Sequence, residues 1–413
     1  MTLQWGYKRA FLRCALLFLV GTTLQMTVGD IDNSFLRYPW GAILAVNYLY
    51  LLVVLHAQSD KWPILKRLRD RYACVSSLAS MVVMTIVFGL TRQDPETGGI
   101  VGALGFSRMT SSWQFNLLLL YFTTTVGLTV IDDVMHIRRR RVAAVLSHVG
   151  VFALLATGIF GGADKERVSV TAPLDRSVNV GTHADGTGAE LPFAVTLREF
   201  RMDEYPPKLY LLDTRTETSS HDFLSVETDG VEAEIDGWRI RAVRSVDMAG
   251  RMPDEDEYRP MNHVGAAPAV YVTAESIASG ARHEGWVSCG SHIFEPSYLL
   301  LGDRYAVAMP RREAKRYLSR ITVTDSEGRR ENHDVEVNRP ARVGSWRIYQ
   351  VGYDTARGRW SAISVLECVR DPWYAIAQAA LWLMLAAGAA VFVTAGGRRA
   401  AEGAPKKGKE VVR

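Results

Sequence analysis

The sequence predicts an integral membrane protein with six transmembrane α-helices and an extracytoplasmic, mainly β domain. Six apolar runs are each long enough to cross a bilayer as a helix, which takes about 20 residues. Basic residues concentrate in three short segments, 58–73, 132–141 and 396–413, and such segments stay in the cytoplasm. Between the fifth and sixth runs, residues 163–372 are polar and contain short alternating segments typical of strands. The 413 residues therefore divide into a membrane part and a soluble part.

The first two apolar runs, about Ala10–Val28 and Trp40–Ala57, form a predicted N-terminal segment at 1–72. The first run follows Lys8 and Arg9 and at first sight looks like a signal sequence. It is too long for one and lacks a small-x-small cleavage site before a mature domain. We therefore expect both runs to be retained as transmembrane helices.

The next three runs form a predicted segment at 73–162. They are a third helix at about Cys74–Leu90 and a hairpin of two helices, Trp113–Ile131 and Val142–Gly162. The turn of the hairpin reads HIRRRR, His136–Arg141, and is too charged to enter the bilayer core. The tip of the hairpin is therefore predicted to lie in the cytoplasm.

The segment 163–372 is predicted to be a β-rich domain. Its alternating or apolar short segments are Phe193–Leu197, Trp238–Ala242, Tyr317–Val323, His333–Val337, Trp346–Tyr349 and Ser361–Leu366. Because turn residues separate these segments and no long amphipathic helix is evident, we expect a sandwich or a barrel-like sheet. Residues 176–190 and 247–266 are predicted to be loops.

The sixth run, Tyr374–Ala395, gives a C-terminal transmembrane helix at 373–395 and is followed by a basic tail at 396–413. The distribution of basic residues predicts that both termini are cytoplasmic and that the β domain lies outside. In a bacterial cell this is the cytoplasmic (inner) membrane with the domain on the periplasmic side. The net charge of +4 is mild and sits in short loops, which favours contact with membrane lipid and excludes nucleic acid as the expected partner.

The cysteines and motifs exclude several classes of activity. The four cysteines, Cys14, Cys74, Cys289 and Cys368, form no CxxC pair, so no dithiol redox centre is encoded. No CxxCH is present, so the chain cannot attach its own c-type haem. No GxSxG, P-loop or HExxH motif supports a hydrolase, an ATPase or a metalloprotease. Whether Cys289 and Cys368 pair as a disulfide is left open by the sequence.

Two histidines are candidate functional residues because an ionisable side chain within a membrane helix is costly. His148 follows the arginine run by seven residues, which places it roughly 10 Å inside the membrane on the cytoplasmic side. Its position alone is compatible with a haem or metal ligand, a proton relay or an interhelical hydrogen bond. His56, at a similar depth, is interpreted first as an interfacial residue, and secondly as a further axial nitrogen for a haem iron.

The hairpin and three later stretches carry a resemblance to a known family. The hairpin has SWQFNLLLLYF, a basic turn and LSHVGVFALLATGIFGG, and the later stretches are LPFAVTLREFRMDEYPPKLYLLD at 191–213, EVNRPARVGSWRIYQVGYD at 336–354 and SVLECVRDPWY at 364–374, with a looser likeness over 214–335. Together they resemble ResB (CcsB), the membrane protein of the System II pathway of cytochrome c biogenesis. The resemblance extends from the third helix to the sixth. The usual pattern has three helices before the external domain, whereas this chain has five, so the first two helices and His56 lie outside it.

The resemblance implies a function that no single motif shows. ResB-like proteins act with a CcsA (ResC) partner, which carries a tryptophan-rich haem-handling motif that this chain lacks. The pair moves haem across the membrane and presents it to the CxxCH cysteines of apocytochrome c. The membrane histidine of the family falls on His148, which would help to ligate haem in transit. On this interpretation the chain is no enzyme on its own but part of a haem-transporting cytochrome c synthetase complex.

Two other classes of function are compatible with the same layout. An extracytoplasmic receptor would place the β domain outside as a sensor, but the cytoplasmic tail is too short for a kinase or cyclase. A permease subunit with an external β domain would need an ATPase partner, and the cytoplasmic loops are short for docking one. The expected function is therefore haem delivery and attachment in cytochrome c maturation.

Overall fold

The structure, a computed structural model, describes residues 2–94, 96–137, 142–252 and 257–402. The chain divides into two compact units, a helical unit formed by Met1–Glu166 with Asp371–Arg413 and a β unit formed by Arg167–Arg370. The arginines at 138–141 and the end of the predicted basic tail, 403–413, lie outside the described residues.

The helical unit contains the six long helices predicted from the sequence. In chain order its described helices are α1 (Thr2–Val28), α2 (Trp40–Gln58), α3 (Pro63–Lys66), α4 (Arg71–Leu90), α5 (Gly99–Ala103), α6 (Trp113–Met135), α7 (Val142–Gly161) and α8 (Tyr374–Glu402). Among the described residues, α1, α2, α4, α6, α7 and α8 contain spans long and apolar enough to cross a membrane. The prediction of six long apolar helices combined with a β domain is therefore confirmed.

The end of α6 differs from the prediction. The sequence placed the end of this helix at Ile131 and assigned the next residues to a basic loop, whereas α6 continues to Met135. Asp132 and Asp133 therefore lie within the last turns of the helix. Charged side chains are accommodated there because histidines from neighbouring segments lie against both carboxylates.

Glycines allow the helices to approach closely. A Cβ at Gly127 of α6 would lie 2.7 Å from Leu52 of α2 and 2.8 Å from Phe152 of α7. A Cβ at Gly150 of α7 would lie 2.5 Å from Met384 of α8. Small residues at such crossings are the usual means by which membrane helices pack, since lipid provides no hydrophobic drive between them. Helix α7 is thus held tightly between α6 and α8.

The β unit is built from three antiparallel sheets. Its strands are β1 (Glu166–Pro173), β2 (Ser177–Thr182), β3 (Gly188–Glu204), β4 (Lys208–Asp213), β5 (Thr218–Ser225), β6 (Glu232–Ile235), β7 (Trp238–Arg251), β8 (Tyr258–Pro260), β9 (Ala267–Ser276), β10 (Arg282–Ser288), β11 (Leu299–Leu301), β12 (Tyr305–Ala308), β13 (Ala314–Asp325), β14 (Arg330–Glu336), β15 (Ala341–Val343), β16 (Trp346–Tyr353) and β17 (Ile363–Arg370). The sheet orders are β14-β13-β3-β2-β1-β17-β16-β15, β10-β9-β7-β6 with β8 beside β7, and β11-β12-β4-β5.

Two large hydrophobic cores stabilise this unit, beside a small cluster around Tyr258. The largest sheet buries one core that includes Val335 of β14 and Ile348 of β16, near opposite ends of the strand order, so the sheet curls around its own apolar face. The two smaller sheets share the other core, with Leu211 of β4 and Val272 of β9 among its residues.

The prediction of a loop at 176–190 is wrong, because this segment contains β2 and the start of β3. These form a hairpin in which Gly181 pairs with Ala189.

Candidate functional site

Acidic and histidine side chains gather at one end of the helical unit, where α2 and α6 end and α7 begins. Asp132 and Asp133 are consecutive on α6, and consecutive helical residues point about 100° apart. Each carboxylate therefore faces a different neighbour. Asp132 faces His56 of α2, and Asp133 faces His148 of α7.

The contact between His148 and Asp133 is the shorter of the two. His148 Nδ1 lies 2.7 Å from Asp133 Oδ2. The side chain of Asp133 is 7% exposed, whereas that of His148 is 45% exposed in the isolated chain. Of the two tautomers of a neutral imidazole, a carboxylate at this distance selects the one that carries its hydrogen on Nδ1, which leaves the lone pair on Nε2. The accessible nitrogen of His148 is therefore the one able to bind a metal.

His56 lies in a different environment. Its ring is buried, and its Nε2 lies 3.8 Å from Asp132 Oδ1 and 3.5 Å from Nη1 of Arg69. Arg69 also donates a hydrogen bond of 3.1 Å to Ser59, whose hydroxyl donates to the carbonyl of His56. These contacts join the end of α2 and the segment before α4 to α6. The arrangement fits an interhelical tie better than an open ligand position.

The structure therefore brings the two predicted histidines to the same end of the bundle but gives them different partners. Among the described residues, no contact joins the two rings. His136, predicted to be a loop residue, caps α6 and places Nδ1 2.9 Å from the carbonyl oxygen of Asp132. Sequence reasoning missed both aspartates. The signal that could have found them is a pair of acidic residues at the end of an apolar run, since such charges need partners.

The donor set at His148 fits an axial haem ligand. In the part of the chain that the structure describes, no group of three or more His, Cys, Asp or Glu side chains could hold a metal ion. A single imidazole nitrogen backed by a carboxylate suits iron that already has four equatorial ligands, as haem iron does. The resemblance to ResB proteins implied haem ligation by this residue, and the geometry is compatible with it.

The cysteines of the β unit are unpaired and inaccessible. Cys289 and Cys368 are free thiols in different hydrophobic cores, so the disulfide left open by the sequence is not present. Burial raises the pKa of Cys289 to about 11 and that of Cys368 to about 12. Both thiols are consequently protonated and poorly nucleophilic at neutral pH.

A partly buried ionic cluster links β3 of the largest sheet to β7 of the five-stranded sheet, and its Asp247 side chain is 60% exposed. Arg312, 11% exposed, pairs with Asp247 of β7 and lies 3.7 Å from Glu204 at the end of β3. Its Nε donates a 2.7 Å hydrogen bond to the carbonyl oxygen of Tyr205. Arg359 lies 3.3 Å from the same Glu204 carboxylate. Burial raises the pKa of Glu204 even though both arginines oppose the shift.

A broad cavity of about 800 Å³ lies against the five-stranded sheet. Aromatic side chains line it, and Trp286 packs against Tyr258 and Tyr271 with ring centroids 5.7 Å and 5.4 Å apart. Among the described residues that line it, the charged ones are Arg244, Arg251, Glu257 and Glu284.

These features define a class of protein in which a β-rich unit is inserted in the sequence between the last two of six helices that are long and apolar enough to cross a membrane. Residues 279–373 match the sequence model of the ResB-like family, so the resemblance to ResB is confirmed over that stretch. The match runs from just before β10 to just before α8 and does not include the histidine–aspartate cluster. The ResB-like family is associated with cytochrome c biogenesis. No curated protein matches the chain.

Proposed function

We propose that this chain is a membrane subunit of the System II machinery that matures c-type cytochromes. It works with a CcsA/ResC-like membrane protein to deliver haem across the membrane and to attach it to apocytochrome c. The family match supports the pathway. The observation that carries the role of this chain is the contact between His148 and Asp133, which leaves one imidazole nitrogen available to iron.

The proposed location is the cytoplasmic membrane, with both termini in the cytoplasm and the β unit on the periplasmic side. The basic segment between the second and third long helices supports this orientation, because segments dense in lysine and arginine stay in the cytoplasm. Its basic residues are Lys61, Lys66, Arg67, Arg69 and Arg71. The histidine–aspartate cluster then lies at the cytoplasmic end of the helices. A single cysteine introduced at Lys61 should be shielded from an impermeant maleimide in intact cells, whereas one at Asp185 in the β2–β3 turn should react. The reverse labelling would overturn the proposed orientation.

The residues of this chain would act on haem by holding and orienting it. Haem is the cargo and supplies the reactive iron and the vinyl groups. His148 would bind the iron through Nε2, while Asp133 keeps the ring in place through Nδ1. His56 would hold α2 against α6 rather than bind iron, because its ring is buried against Asp132 and Arg69. Transfer to the partner would need a haem ligand supplied by that partner.

The test is an absorption spectrum of the protein purified in detergent with its CcsA/ResC-like partner, in wild-type and His148→Ala forms. We expect a Soret band of imidazole-ligated haem that is lost or shifted in the variant. His56→Ala is the matched control, and its spectrum should keep the wild-type axial ligation. Bound haem with the same spectrum in His148→Ala would show that the ligand lies elsewhere. Absence of haem from every preparation would contradict haem handling by this chain.

A further inference from the structure

We propose that Asp133 is a positioning residue that holds His148 in the tautomer whose Nε2 faces the haem iron. We further propose that the adjoining Asp132 has no part in this task. The inference has two parts. The first, control of the His148 tautomer by Asp133, concerns the protein without haem and can be tested by itself. The second, the effect of Asp133 on bound haem, rests on the proposed function.

The first observation is the short contact between Asp133 and His148, in which the aspartate is almost completely shielded from solvent. Asp133 Oδ2 lies 2.7 Å from His148 Nδ1, and the aspartate side chain is only 7% exposed. A carboxylate removed from water gains most from a partner that donates a hydrogen bond. The pair therefore favours the Nδ1–H tautomer, since the alternative would place a lone pair against a carboxylate.

The second step is the rigidity of the backbone that carries the ring. Gly127 of α6 and Gly150 of α7 lie in crossings where even a Cβ would approach a neighbouring side chain to 2.8 Å or less. Rotation of α7 about its axis would bring larger side chains into these crossings. The position of the α7 backbone that carries His148 is therefore set by packing on both sides, and the contact with Asp133 selects which ring nitrogen remains free.

The third step is the contrast with Asp132. This carboxylate lies 3.8 Å from His56 and 3.6 Å from His136, and its side chain is 19% exposed. Arg69 approaches it at 3.9 Å. These longer contacts lie on another side of α6 from His148. The two neighbouring aspartates are thus chemically alike but have separate tasks, which makes each a matched control for the other.

The consequence for haem follows from the hydrogen bond to the ligand. A carboxylate that accepts from Nδ1–H makes Nε2 more basic and stabilises ferric over ferrous iron. Loss of such an outer contact typically weakens metal binding by about 10–100-fold. We therefore expect Asp133→Asn to weaken haem binding by that factor and to raise the midpoint potential of the bound haem, while Asp132→Asn does neither.

The first experiment uses the full-length protein in detergent without haem, labelled with ¹⁵N-histidine. The resonances of His148 are identified by their loss in His148→Ala and are measured at a pH where the ring is neutral. We expect the Nδ1–H tautomer in wild type, a mixture in Asp133→Asn, and the wild-type pattern in Asp132→Asn. A wild-type tautomer in Asp133→Asn would overturn the inference, whatever the outcome of the haem experiments.

The second experiment uses the complex with the CcsA/ResC-like partner and adds haem. Haem affinity, axial-ligand spectrum and midpoint potential are compared among wild type, Asp133→Asn, Asp133→Glu and Asp132→Asn. Asp133→Glu keeps the carboxylate and should recover part of the affinity, which a general loss of folding would not allow. Equal affinity and potential in Asp133→Asn and wild type would overturn the positioning role. An unchanged spectrum in His148→Ala would instead overturn the proposed function at this residue, even where the tautomer result stands.

Discussion

Replacement of Arg312 by methionine should destabilise the β unit strongly. The guanidinium is 11% exposed and pairs with Asp247 and Glu204, and its hydrogen bond to the Tyr205 carbonyl is 2.7 Å long. Loss of a charge-assisted hydrogen bond costs about 1.5–3 kcal/mol. Because Glu204 keeps Arg359 at 3.3 Å, we expect the loss of stability to lie at the lower end of the ~3–5 kcal/mol range for a broken buried ion pair. We expect a net loss of about 3 kcal/mol.

The pH dependence of this loss has a definite sign. Burial raises the pKa of Glu204 above its ordinary value, so its contribution to stability is greatest at low pH and is lost as the pH rises through the folded-state pKa. Removing Arg312 raises that pKa further, because one of the two opposing cations is gone. The deficit of Arg312→Met should therefore be largest at neutral pH and shrink as the pH falls and Glu204 is protonated.

The assay is thermal unfolding of the full-length protein in detergent, with hydrogen exchange along β3 and β7 to follow the β unit separately. For a unit of this size about 3 kcal/mol corresponds to a fall of roughly 6–12 °C in Tm. The exposed neighbour Arg311, which has no described ion pair, provides the control variant Arg311→Met. A fall no larger than that of the control, or a deficit that does not change with pH, would refute the reasoning.

Two further predictions concern packing and thiol reactivity. Gly161→Ala should lower thermal stability by about 1–3 kcal/mol, because its Cβ would lie 2.3 Å from Cγ of Trp373, whereas Gly158→Ala meets open space and should be neutral or slightly stabilising. Equal stability of these two variants would contradict the close approach of the end of α7 to Trp373, the residue before α8. Native Cys289 and Cys368 should resist maleimide and react only after denaturation, as tested by mass spectrometry, because both are buried and protonated at neutral pH. Rapid labelling of either native thiol would show that its core opens.

The long helices could be predicted because length and hydropathy are strong local signals. Alternating residues also indicated the β character of the inserted domain. The β2–β3 hairpin was missed because residues 176–190, with three Gly, one Asn and one Asp, resemble a turn in composition. Its strands are fixed by pairing with each other and with distant parts of the chain, as in the pairing of Ser169 with Thr182. Such pairing is a property of the tertiary structure.

The candidate site likewise has one part that the sequence predicts and another that depends on the tertiary structure. His148 could be selected from the sequence because an ionisable residue stands out in an apolar helix. Its partner could not, because Asp133 was assigned to a basic loop and its helical position depends on contacts across the bundle. The difference between the two histidines also depends on their surroundings. His56 was a second candidate by depth alone, and its burial beside Asp132 and Arg69 gives it a different environment from that of His148.

The buried thiols have a consequence for the chemistry proposed around this protein. Haem attachment joins cysteine sulfur to vinyl carbon, and any reactive cysteine close to the reaction would compete with those of the apocytochrome. Cys289 and Cys368 are enclosed in hydrophobic cores and remain protonated. In the proposed machinery, haem would therefore not alkylate these two thiols. Unfolded client chains would not form mixed disulfides with them. The fold thus keeps both thiols of the β unit out of the attachment reaction.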